Sequence, residues 1–75
     1  MNITNKLESG LIVNLKGSNI YAIEAFIESS EFYGYEIEDQ VYLFPSPVSE
    51  YDLLEKALTA LFNSWNIKHY SFEGV

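Results

Sequence analysis

FYGYEIEDQVYLFPSP, residues 32–47, is the stretch that decides the fold. Tyr33, Tyr35 and Ile37 alternate with Gly34, Glu36 and Glu38, the two-residue period of a strand with two different faces. A strand is therefore expected over 32–38. Asp39 and Gln40 make a polar break before Val41-Tyr42-Leu43-Phe44, which is a second short apolar run with strand-forming residues. The simplest connection is a tight antiparallel hairpin, although its turn lacks the usual glycine. Pro45 and Pro47 then end the second arm, because proline cannot donate to a ladder and disfavours helix in the residue before it.

Upstream of the hairpin, Leu11, Val13 and Leu15 alternate with Ile12 and Asn14, so residues 11–15 read as a first strand. Gly17 ends it. Ser18 is placed to cap a helix running to about residue 30, with Ile20, Ile23, Phe26 and Ile27 on one side. Downstream, Ser49 with Asp52 three residues on approximates a capping box, and Leu54, Ala57, Leu58, Leu61, Phe62 and Trp65 recur at helical spacing. A helix is expected over 49–65. Residues 67–72 are rich in strand formers and supply a fourth strand before Gly74. The order βαββαβ implies an α+β fold: one small antiparallel sheet with two helices on one face, the ferredoxin-like arrangement. An α–β–β–β–α order stays open, since the Ile, Tyr and Phe residues of 20–27 also suit a strand.

Seventy-five residues make a single domain, 1–75, because so short a chain cannot be divided between two cores. Its 48% hydrophobic content fills one core and is too high for a disordered chain. There is no cysteine, and a lone His69 cannot build an imidazole cluster, so neither a disulfide nor a metal site is expected, and no cofactor. The start Met1-Asn2-Ile3-Thr4-Asn5-Lys6-Leu7-Glu8-Ser9 lacks the basic-then-apolar run of a secretory signal. No apolar run approaches the roughly 20 residues of a membrane helix. The expectation is a cytoplasmic protein that does not engage a membrane.

Eleven Asp and Glu against four Lys, with no Arg, give a net charge of −7. That field repels phosphate backbones and anionic lipid, which excludes direct nucleic-acid binding, and it attracts a basic protein partner. Glu24, Glu28 and Glu31 stand at i, i+4 and i+7, so a helix through them carries three carboxylates in line with no lysine to answer them. Glu36, Glu38 and Asp39 form a second group at the hairpin, two of them expected on one strand face. The same carboxylates also suit a merely solvated surface. Calcium would need a shaped loop of six to eight oxygens, and no such spacing is present. Glu50 and Asp52 fit as first-turn anions that complement a helix dipole.

Catalysis needs convergent groups, and the sequence offers no nucleophile with a base or paired carboxylates in a dry pocket. His69, between Lys68 and Tyr70, has no defined partner, and Gly17 lacks the spaced glycines of a phosphate-cradling loop. The chain is therefore expected to bind rather than to catalyse. Tyr33, Tyr35, Tyr42, Phe44, Tyr70 and Phe72 all fall on expected strands and are mostly core. Aromatics left on the uncovered sheet face favour a homodimer or a partner.

The last helix carries a more specific pattern: Glu55-Lys56, then Ala60, then Asn63-x-Trp65-Asn66. It resembles the late helix of small phage-encoded anti-CRISPR inhibitors of type II-A Cas9. Val13-x-Leu15-x-Gly17 resembles that family's first strand, and the start Met1-Asn2-Ile3 and overall length are similar. The resemblance implies a compact α+β domain that mimics the charge of duplex DNA and occupies the basic cleft where Cas9 reads its short adjacent motif. The family continues past Trp-Asn with a dense acidic segment, whereas this chain reads Ile67-Lys68-His69-Tyr70. What the resemblance carries is the fold and the acidic decoy, more than the target. On charge, Glu24, Glu28, Glu31, Glu36, Glu38 and Asp39 are the expected contacts to a basic, nucleic-acid-handling protein such as a CRISPR effector. The competing expectation is a ferredoxin-like dimerisation or regulatory module with a small ligand near Gly17 and Ser18.

Overall fold

The structure, a computed structural model, describes residues 9–75; the Met1-Asn2-Ile3 match lies outside them. The chain runs β1 (Gly10–Asn14), α1 (Ile20–Ser29), β2 (Tyr35–Glu38), β3 (Val41–Pro45), a 3-10 turn (Val48–Glu50), α2 (Tyr51–Ser64) and β4 (Ser71–Gly74). The βαββαβ order is the expected one. The four strands form one antiparallel sheet in the order β2-β3-β1-β4.

Period-two burial fixes which way β1 faces. Leu11, Val13 and the following Leu15 are buried, whereas Asn14 is exposed. Leu11 pairs with Phe44, and Val13 lies between Tyr42 and Phe72, so these side chains share one face. Ile23 and Phe26 of α1 and Leu58 and Phe62 of α2 join Leu11, Val13 and Phe44 in a single core cluster. The rings of Phe26 and Phe62 meet edge to face with centroids 4.9 Å apart. Both helices therefore cover the same side of the sheet.

Local chemistry shifts several boundaries. Asn19, not Ser18, caps α1: its Oδ1 accepts from the amides of Tyr21 at 2.8 Å and Ala22 at 3.2 Å. Ser18 is drawn away by the distant His69, whose carbonyl accepts its hydroxyl at 2.5 Å. Ile20 consequently sits at the helix mouth, 53% exposed, rather than inside. No capping box forms at α2, whose N-cap is Glu50 without a side-chain hydrogen bond; Ser49 lies in the preceding 3-10 turn.

The second strand starts at Tyr35 rather than 32, because the Phe32 amide is held by the Ser30 hydroxyl at 2.9 Å in a local turn. Tyr33 is left off the sheet and exposed. The last strand is displaced to residues 71–74 for a different reason. Helix α2 ends with Asn66 in the left-handed region, φ 63°, and the amides of Asn66 and Ile67 return to the carbonyls of Asn63 and Phe62 at 3.1 and 2.8 Å. This helix stop consumes 66–67 and buries Ile67, so pairing with β1 begins only at Ser71.

Candidate functional site: an acidic surface

The six carboxylates are all exposed, and the fold sorts them into three places. Around the hairpin, β2 and β3 pair Tyr35 with Leu43 and Glu36 with Tyr42, and then the register slips so that Glu38 faces Val41. This bulge at Ile37 changes the orientation of everything after it. Tyr42 and Val41 point to opposite faces, and so do their partners Glu36 and Glu38. The expectation that Glu36 and Glu38 share a strand face is thus corrected. Glu36 lies on the helix-covered side, while Glu38 stands 3.8 Å from the Lys16 ammonium.

Gln40 closes the turn with φ 61°, which fills the place of the missing glycine. Its amide donates to Glu36 Oε2 at 3.2 Å, and its carbonyl accepts the Leu15 amide at 2.8 Å. Glu36 is thereby tied to the turn that carries Asp39.

The electrostatics of Tyr42 locate the convergence. Burial, and then the carboxylates of Glu36, Glu24 and Asp39 in that order, push its phenol above the ordinary value of 10.0. One residue from α1, one from β2 and one from the turn therefore raise negative potential at the same point. Glu28 follows Glu24 by one turn of α1. Glu31 does not extend this row, because α1 ends at Ser29; it lines a cleft between the two helices instead. Among the described residues, Glu24, Glu28, Glu36 and Asp39 have no salt-bridge partner.

The strand-to-helix turn expected to hold a small ligand is occupied by the protein itself. Gly17 adopts φ 93°, and a Cβ there would lie 3.5 Å from the His69 Cβ. The Ser18 hydroxyl also accepts from the His69 amide at 3.3 Å, so His69 closes the turn. Of the apolar positions that recur at helical spacing in α2, Leu58 and Phe62 are fully buried, unlike Leu54, Ala57, Leu61 and Trp65. The latter are only half-buried and line the cleft beside Glu31, together with Phe32. Among the described residues, no helix is long and apolar enough to cross a membrane.

No family model, curated protein or solved structure matches this chain. The Asn63-x-Trp65-Asn66 pattern has a definite structural role. Asn63 Oδ1 accepts the Tyr70 hydroxyl at 3.2 Å, Trp65 packs edge-on to Phe26 at 6.4 Å, and Asn66 provides the left-handed helix stop. Glu55, Lys56 and Ala60 are exposed on α2.

Proposed function

We propose that this chain is a small cytoplasmic protein-binding inhibitor of phage or prophage type. It presents a negatively charged decoy to a basic, nucleic-acid-handling protein such as a CRISPR effector, and it has no catalysis of its own. The observation that carries the reading is that exposed carboxylates from three different elements, Glu36, Glu24 and Asp39, all act on the Tyr42 phenol, with Glu28 one turn beyond Glu24 on α1. Charges held on a helix, a strand and a tight turn form a preorganised negative face, which steers a cationic partner and loses strength as salt screens it. The strand order and the placement of both helices on one face support a ferredoxin-like frame for that surface.

The test uses guide-loaded type II-A Cas9 cutting a plasmid in the presence of the chain. Inhibition that falls with rising salt, and that is lost when Glu24→Lys, Glu28→Lys and Glu36→Lys are combined, is the expected result. Undiminished inhibition by the folded triple variant removes the acidic face as the contact. Absence of inhibition by the parent removes Cas9 as the target. The same strand order favours a second reading, a ferredoxin-like dimerisation or regulatory module. A dimer by light scattering whose formation ignores salt selects that reading instead.

A further inference from the structure

A cleft runs along α2. Its first part, about 460 Å³, lies between the start of α2 and the chain after β3, and is walled by Phe32, Pro45, Pro47, Leu53 and Leu54, with Glu50 at its rim. Its second part, about 310 Å³, lies between α2 and the end of α1 and is walled by Leu61, Trp65, Ser29, Ser30 and Glu31. Phe32 and Ala57 line both parts, so the two adjoin end to end in a groove beside α2. From Glu50 to Trp65 it follows α2 for about 22 Å at 1.5 Å per residue. Beside it, Leu53 is 70% exposed and Val48 66% exposed, apolar area that the fold itself does not use.

We infer that this groove receives an amphipathic helix of a partner protein whose apolar face is flanked by lysine or arginine. Length and shape favour a helix, since an apolar trough parallel to α2 accepts side chains at i, i+3, i+4 and i+7. Charge decides its chemistry. Glu50 and Glu31 stand in the walls of the two parts, and the end of α1, whose last turn carries no basic residue to offset its negative pole, borders the second part through Ser29 and Ser30. There the Trp65 indole offers an aromatic surface for a cationic side chain beside the Glu31 carboxylate. A second copy of this chain, itself carrying −7, is repelled by that rim, and so is an anionic membrane surface.

The probe is a synthetic, tryptophan-free helical peptide with leucines on one face and lysines on the other. Trp65 is the only tryptophan in the chain, so its fluorescence reports on the groove. The expected result is a saturable one-to-one change that Ala57→Gln weakens by about tenfold or more, because the longer side chain obstructs the point shared by both parts. Leu53→Ser, at an exposed position with little bearing on folding, weakens binding as well. The paired variant Glu24→Gln/Glu36→Gln leaves it within about twofold, which separates this groove from the acidic face around Tyr42. The inference is overturned if the peptide gives no saturable change, if folded Ala57→Gln and Leu53→Ser bind as the parent does, or if a control peptide with alanine for leucine binds equally well.

Discussion

The amide of Ile67 donates to the carbonyl of Phe62 at 2.8 Å, across the end of α2, and both side chains are fully buried. The bond and the apolar contact together form a Schellman stop, which requires the intervening Asn66 to hold φ 63°. A side chain without asparagine's local polar compensation is penalised there by about 1 kcal/mol. Asn66→Ala should therefore lower the free energy of unfolding by about that amount. Asn66→Gly should stay within about 0.5 kcal/mol of the parent, because the ease with which glycine adopts the left-handed conformation offsets its greater loss of chain entropy. Urea unfolding followed by circular dichroism distinguishes the two; equal behaviour would show that the turn is not strained at Asn66.

Gly34 is constrained by a contact instead of a dihedral. A Cβ at this position would lie 2.6 and 2.7 Å from two ring carbons of Phe44, whose side chain is only 1% exposed and cannot swing into water. Gly34→Ala is expected to cost about 1–3 kcal/mol, the usual range for overpacking. Combining it with Phe44→Leu should show a coupling between the two sites, because the smaller partner relieves the clash that the added methyl creates. Strictly additive losses in thermal or urea unfolding would rule the contact out.

The parts of this fold that could be read from sequence are those where one face is buried and the other is wet. Leu11, Val13 and Leu15 declare β1 through their period, and the spacing of Leu58 and Phe62 declares α2. Features set by competition between neighbours, or by distant groups, are not legible. Ser18 and Asn19 are both able to cap a helix, and the choice between them is made by His69, more than fifty residues along the chain. The bulge at Ile37 carries no glycine or proline to announce it, yet it sends Glu36 and Glu38 to opposite faces. The acidic groups were visible as composition. That Glu24, Glu36 and Asp39 all act on Tyr42 depends on the pairing of the hairpin, and Glu31 lines a different cleft because α1 stops at Ser29. The groove was hidden because Leu54, Ala57, Leu61 and Trp65 follow the same helical period as the true core residues.

The convergence on Tyr42 can be measured without any partner. The phenol is neutral at low pH, and its folded-state pKa lies above the 10.0 of the unfolded chain. The folded state therefore disfavours the phenolate. Its contribution to stability is complete below pH 10.0 and is lost as pH rises toward the folded pKa. Burial is the largest cause, followed by Glu36, Glu24 and Asp39. Removing charge should consequently lower the Tyr42 pKa without returning it to the ordinary value, with Glu36→Gln more effective than Glu24→Gln and Glu24→Gln more effective than Asp39→Asn. Glu28→Gln and Glu38→Gln should leave it in place, since neither carboxylate contributes at Tyr42. Carbon-13 NMR of the labelled tyrosine ring against pH follows the residue individually. A Tyr42 titration insensitive to Glu36→Gln and Glu24→Gln would mean that helix, strand and turn do not share one negative surface, and the proposed decoy face would lose its physical basis.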